Sequence, residues 1–436
     1  MSDTPLAKVF VAFNDILDSK VGKTLGLRKW AEKLTYQGTV QGVNLAKKTS
    51  RIFPKSSKKS SGERPADAKV SDFFDLNLTE DQQMVQETIK QFASQYLTKN
   101  TEQANIDCTI TDEVVKEFRA LGLPFYSVPE SLGGVLTDKA TVTQMVIAEE
   151  MAYGDLGMAV ALLAPSNALN AITRWGTAAQ QEKYTPAFLD ENDPLDAVIA
   201  VNESGPLFDP FQLKTQAVKK GNGYIINGVK ETVPLVNSSE LFIVAAEVPG
   251  EGPALFLIES SADGLSVASQ NAMGLRPAAL GTLTLENVSV EEDARLGDSS
   301  FDYATFISYA RLGWCALAVG CARAILDEVV PYANERIAFG EPISHRQSIA
   351  FMIANIRIEK DAMQILTQRA AALAEQGKPF QKEAYLAAVQ CQERAMTIGN
   401  DGVQIYGGMG FMRDFHAERK YRDLRAVSWC YNAMHL

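Results

Sequence analysis

Apolar positions recur at helical spacing from Thr79 to about residue 190. Near residue 196 they give way to short β-branched runs, and from about residue 301 the helical spacing returns and holds to the end. In "LTEDQQMVQETIKQFASQYL", Val85, Ile89, Phe92 and Tyr96 share one helix face, while Thr79 and Gln82 have the spacing of a capping box. Further helices are predicted in "TDEVVKEFRALGL", "ATVTQMVIAEEMA" and "TAAQQEKYTPAFL", parted by Pro and Gly at "SVPESLGG" and "RWG". The middle runs "DAVIAVNE", "KTQAVKKGNGYIINGVKETV", "ELFIVAAEV", "ALFLIES", "LSVASQ" and "GTLTLENVSV" read as strands, and "GNG" between two of them is a hairpin signal. Three long helices are predicted over 301–338, 345–376 and 380–403. The expected class is α+β multidomain: an extension and linker at 1–70, an all-α N-terminal domain at 71–195, an antiparallel β domain at 196–300 and a helical bundle at 301–436.

Charge changes this picture at one end only. The 436 residues carry a net charge of −11, yet residues 1–65 hold 13 Lys/Arg against 5 Asp/Glu. The acidic remainder makes nucleic acid an unsuited partner. The basic leader combines a short amphipathic pattern at Val9, Phe13, Ile16 and Leu17 with a Ser/Lys/Pro linker. A tethered, solvated extension is its plainer reading, and peripheral contact with an anionic membrane the other. No run of about 18 to 20 uninterrupted apolar residues reads as membrane-spanning. The opening segment lacks a secretory design, so a cytoplasmic location is expected, with membrane association through the leader as the alternative. Five scattered cysteines and three histidines form no ligand cluster, so no metal site and no disulfide framework is expected.

Several motifs in this order resemble the acyl-CoA dehydrogenase family over roughly residues 73–433. They are "LGLPFYSVPESLGG", "AEEMA", "RWGTAAQQEKYTPAF", "YANERIAFGEPISHRQSIAF" and "QIYGGMGF" followed by "YRDLR". The resemblance implies a C-terminal four-helix bundle and an oxidoreductase of fatty-acid metabolism using FAD. It would oxidise an acyl-CoA between the α and β carbons, with a glutamate as base, and pass electrons to an electron-transfer flavoprotein. Members are mostly homotetramers. It further implies that Arg336, Phe339, Gln347, Gln404, Gly407 and Gly408 bind the cofactor, and that most of them contact the adenosine end of a neighbouring subunit's FAD. A cation and bare glycine backbone suit a pyrophosphate, and glutamine amides suit adenosine. Val201, Asn202, Thr232 and Pro234 would lie at the subunit's own flavin ring, and Arg311 and Phe208 at the substrate. Arg422 and Asp423 read as a structural ion pair.

The departures from the family pattern cluster. Tyr431, Asn432 and Ala433 stand at the Glu-Gly-Thr places of the usual base-bearing turn, and Ala310 stands at the alternative base position before Arg311. "NESGPLFD" replaces a TEPxxGSD-like segment, and Thr232-Val233-Pro234 replaces Trp-Ile-Thr/Ser. The family's final helix is cut short after Leu436. Three readings follow. One is an acyl-CoA dehydrogenase with an atypical base, for which Glu203 or Asp209 could be proposed, though solvation is the plainer role of each. The second is a non-catalytic subunit of a heteromeric acyl-CoA dehydrogenase that completes a partner's FAD site. The third is the same fold running an elimination on an acyl-CoA. Assembly as a dimer of dimers, with itself or a homologue, is expected from the apolar run "WCALAVGCARAIL".

Overall fold

The computed structural model describes residues 77–135, 140–190, 193–205 and 208–436. The expectations of a leader helix, a linker and a membrane contact concern residues outside those described. Helix α1 (Glu80–Phe92) starts at Thr79, whose hydroxyl accepts from the Gln82 amide while the Gln82 side chain accepts from the Thr79 N–H, a reciprocal cap. A π turn leads into α2 (Thr98–Asp107), followed by α3 (Asp112–Arg119), α4 (Thr141–Gly154), α5 (Leu156–Trp175) and α6 (Ala178–Phe188). Helix α5 is long and apolar enough to cross a membrane by composition, but 89% of its apolar window is buried inside the fold, so it is a core helix.

The middle layer is a sheet of seven strands: β1 (Ala197–Ala200), β2 (Gln216–Lys220), β3 (Gly223–Val233), β4 (Leu241–Val248), β5 (Gly252–Glu259), β6 (Leu265–Ser269) and β7 (Gly281–Glu291). The "GNG" turn closes the β2–β3 hairpin with Lys220 opposite Gly223. The sheet is antiparallel except at β4, which pairs parallel with β1 and, at one position, with β2. The β2–β3 hairpin intervenes between β1 and β4, so the chain re-enters beside β1 in the same direction. Just past β1, the Asn202 carbonyl accepts from the Glu231 N–H near the end of β3 (2.9 Å), which brings Val201 and Asn202 beside that strand end.

Three long helices follow: α7 (Tyr303–Glu335), α8 (Gln347–Glu375) and α9 (Gln381–Tyr406), with a small β8–β9 hairpin (Ile337–Ala338 and Glu341–Pro342) between the first two and a short α10 (Ala417–Leu424) after the third. Helix α7 packs against α4, α8 and α9. A Cβ at Gly320 would come within 2.0 Å of the Glu149 carbonyl, so only glycine lets α7 and α4 approach this closely. Arg323 on α7 pairs with Glu149 and Glu150 on α4.

This arrangement removes the reason given for one expectation, that the apolar run of α7 calls for a second subunit. The run Trp314–Leu326 is almost wholly buried inside the subunit, with Trp314 2% exposed and Leu326 7%. It therefore needs no second subunit to cover it. The bundle surface carries apolar side chains elsewhere: Phe351, Ile358 and Ile365 recur every seven residues on α8, and Tyr385, Leu386 and Val389 stand out on α9.

Candidate functional site

The residues expected at a flavin ring do come together, but their polar groups are already in use. The segment that follows α10 turns back through the molecule and ends buried, with Asn432, Ala433, Met434 and His435 each 0% exposed. The Asn432 side-chain oxygen accepts from the Val201 N–H (2.7 Å) and the Asn202 N–H (2.8 Å). Its amide nitrogen donates to the main-chain carbonyls of Glu231 (2.8 Å) and Thr232 (2.9 Å). The Asn202 side chain clasps the same segment, donating to the Trp429 carbonyl and accepting from the Tyr431 N–H. The Ala433 N–H donates to the Ile199 carbonyl, and the Trp314 indole N–H to the Asn432 carbonyl. The Thr232 hydroxyl turns onto the carbonyl of Glu231, and its N–H goes to Gln270. Pro234 has no N–H to give.

Beyond Asn432 the segment fills the space between α5 and α7. A Cβ at Gly313 would lie 2.9 Å from the Met434 Cβ, so the α7 backbone is bared where Met434 seats. Asn167 accepts from the His435 N–H, Asn170 donates to the His435 carbonyl and Arg174 to the Leu436 carbonyl. The His435 ring stacks on Phe306 at 4.8 Å and takes the Trp175 indole N–H on Nε2. Burial, and then the Arg174 charge, hold this histidine well below its usual pKa, so it is neutral. At Thr232 and Pro234 themselves, bordered by Trp314, Trp429 and Cys430, the open space is a void of about 90 Å³, and a separate cavity of about 920 Å³, lined by Arg119, Leu162, Ser166, Leu235 and Ser238, borders the next turn of the chain. Pockets for cofactor-sized ligands run to about 300–1,000 Å³. The ring-end residues present in this chain therefore do not fit an isoalloxazine alongside the closing segment.

Neither base position offers a proton acceptor suited to neutral pH. Ala310 is fully buried. Tyr431 sets its ring edge against Phe208, with centroids 6.2 Å apart, so the substrate-side residue Phe208 and the base-side residue Tyr431 do meet. Arg311 lies over the rings of Phe211 (5.8 Å) and Tyr385 (5.2 Å). Glu203 is not solvated. It is 6% exposed and bonds Lys230 Nζ at 2.7 Å, while its oxygens accept from the N–H groups of Lys214 and Thr215. Burial alone would raise its pKa, and the Lys230 charge and hydrogen bonds outweigh this to leave it below the usual value. Lys230, wholly buried, is pushed down to about 8 by burial against the pull of Glu203. Both are charged at neutral pH, and the pair is structural. Asp209 caps a local turn at Phe211 and Gln212.

The Arg422–Asp423 expectation also needs correction. Arg422 pairs with Glu418 four residues back and reaches Asn105 and the Met273 carbonyl. Asp423 accepts from the Leu275 N–H at 2.6 Å, and burial, then Asp155, push its carboxyl up to about 7. The two side chains tie α10 to the N-terminal domain and to the loop before β7, and this anchoring sets the path of the closing segment.

The other group of expected cofactor residues is in the opposite condition. Helices α7, α8 and α9 run up, down and up, so the end of α7, the start of α8 and the end of α9 share one end of the bundle. Tyr332 and Tyr406 meet there at 4.2 Å. Arg336, Gln347, Gln404, Gly407 and Gly408 are all exposed at this end. Among the described residues, no side chain bonds the Arg336 guanidinium or the Gln347 and Gln404 amides. A Cβ at Gly407 or Gly408 would meet nothing within 4 Å, so both present open backbone. Phe339 sits at the tip of the β8–β9 hairpin, 97% exposed, with the Arg346 guanidinium 5.7 Å from its ring. Sequence reasoning singled out both groups of residues, and missed the closing segment. The signal was present: from Ala426 to Leu436 no side chain carries a formal charge, which is the composition of a buried stretch.

Comparison with known proteins matches three family models along the chain: the acyl-CoA dehydrogenase N-terminal domain over residues 79–192, the middle domain over 199–288 and the C-terminal domain over 303–430. A 3-(aryl)acrylate reductase of Clostridium sporogenes is 30% identical, over 80% of this chain and 94% of the relative. The mitochondrial short/branched chain specific acyl-CoA dehydrogenase of Rattus norvegicus is 29% identical, over 80% of this chain and 81% of the relative. The solved butyryl-CoA dehydrogenase of Megasphaera elsdenii is 26% identical, with a TM-score of 0.73, covering 82% of this chain and 96% of that one. Three domain models in sequence, a relative at this identity across nearly its whole length, and a shared helix–sheet–helix architecture together make this chain a member of the acyl-CoA dehydrogenase family.

Proposed function

We propose that this protein is a non-catalytic subunit of a heteromeric acyl-CoA dehydrogenase, which completes the FAD site of a catalytic homologue. The contrast between its two ends supports this reading. The cation, amides and bare glycine backbone suited to an adenosine pyrophosphate stand exposed and uncommitted at the bundle end, while the ring-end donors are spent on Asn432. A subunit that bound and reduced its own flavin would need the ring-end donors free. The autonomous enzyme with a recruited base has less behind it, because Glu203 is locked to Lys230 and Asp209 to its turn. In the assembly the acyl-CoA and the electron-transfer flavoprotein-like acceptor belong to the partner's site, and the exposed apolar side chains of α8 and α9 supply surface for a heterotetramer.

The test is co-purification with an acyl-CoA dehydrogenase homologue from the same source, with flavin measured per complex. The expected result is a yellow complex that dehydrogenates acyl-CoA. Arg336→Ala in this chain is expected to lower flavin occupancy, through loss of a charge-assisted contact to phosphate. A complex whose flavin content ignores Arg336, Gln404 and Gly407 would overturn the reading.

A further inference from the structure

Asn432 does more than fill a gap. It offers one carbonyl oxygen to two main-chain N–H groups and one amide nitrogen to two main-chain carbonyls. A ring lactam or imide presents the same adjacent acceptor and donor along one edge. A segment held only by packing would join the sheet through its main chain. Here the main join is a side-chain carboxamide, set in a cradle formed by the ends of β1 and β3. The backbone bends to make that fit. Thr232 (φ 54°) and Ala433 (φ 60°), one on each side of the join, both adopt the left-handed region that non-glycine residues avoid. The next residues lie in a slot between α5 and α7, where Met434 and Leu436 pack and Asn167, Asn170, Arg174 and Trp175 bond the segment.

We propose that Tyr431–Leu436 is a ligand built into the chain. Asn432 takes in cis the place of a lactam edge in the cradle of Val201, Asn202, Glu231 and Thr232, and Met434, His435 and Leu436 fill the adjoining slot. The cradle is thus a latent site for a ring carrying that edge, of which an isoalloxazine is one. The subunit closes it by its own covalent structure rather than by losing it. This rests on the contacts within one chain and holds whether or not a partner subunit exists.

Two measurements on the full chain test it. The first is hydrogen–deuterium exchange. In the unmodified protein the amides of Val201, Asn202 and Ala433 exchange among the slowest, and Asn432→Ala speeds them by roughly tenfold or more, because their acceptors or the segment holding them are released. Fast exchange at these amides in the unmodified chain overturns the proposal, and this arm decides the matter if the second variant fails to fold. The second measurement uses Asn432→Ala combined with Met434→Ala, with riboflavin as the probe. Riboflavin has the isoalloxazine edge and no pyrophosphate, so the bundle end plays no part. It is expected to raise the thermal midpoint of the double variant and leave that of the unmodified protein unchanged. A folded double variant indifferent to riboflavin refutes the latent site. Neither result bears on flavin content in a complex, so the partner reading stands or falls separately.

Discussion

The ring end and the bundle end of this protein are built from residues of similar chemistry and put to opposite uses. Val201, Asn202 and Thr232 offer main-chain donors and acceptors, and each relevant group is satisfied within the chain. Gly407, Gly408, Gln404, Gln347 and Arg336 also offer donors, and their side chains and open backbone face outward. Buried polar groups must find partners, so an unfilled ring site would carry a standing cost that Asn432 removes. Exposed polar groups are hydrated and carry no such cost, so the bundle end can stay uncommitted within the chain. The lesson is energetic. A site that is closed contributes to stability, and a site that is open contributes to binding, so substitutions at the two ends should fail in different assays.

The largest effect is expected at Glu203. Glu203→Ala strands the Lys230 ammonium in the core, which costs about 3–5 kcal/mol for a buried pair broken on one side. Urea unfolding reads this directly, and a loss under about 1 kcal/mol would mean that the pair is hydrated in solution. Asn432→Ala should follow at roughly 2–4 kcal/mol, since it leaves two buried N–H groups and two carbonyls short of partners. A change no larger than that of an exposed asparagine would break the comparison at its closed end.

His435 sharpens the same end through pH. Its folded-state pKa is depressed, so the unfolded chain takes up a proton near pH 6.5 while the folded one does not. The stability it contributes is therefore present above pH 6.5 and is lost as pH falls below that value, at about 1.4 kcal/mol per pH unit. His435→Gln should flatten the fall in unfolding midpoint between neutral and mildly acid pH. Equal acid sensitivity in both proteins would place His435 in water. Arg336→Ala marks the small end of the scale. With no side-chain partner among the described residues, it should leave stability within about 0.5 kcal/mol while lowering the flavin content of a complex.

Much of this was legible in the sequence. The capping box at Thr79, the hairpin at Gly221–Gly223 and the three long helices rest on local pattern, and local pattern survives into the fold. The bundle-end group was legible because it lies in contiguous motifs. The closing segment was not, because its meaning depends on partners 200 or more positions away, at Val201, Asn202, Glu231 and Thr232. Glu203 was misjudged for a related reason. A lone glutamate is by default exposed, and only the register of β3 brings Lys230 to it. The run Trp314–Leu326 was correctly seen as too apolar to be wet, yet the surface that covers it belongs to the same chain.

The most direct measurement of the central claim is the visible absorption spectrum of this protein purified alone, under conditions that load FAD onto a catalytic homologue treated in parallel. The account predicts a colourless protein with no flavin band, which gains flavin only in complex with that homologue. A stoichiometric flavin band in the isolated chain, with Tyr431–Leu436 intact, would contradict it.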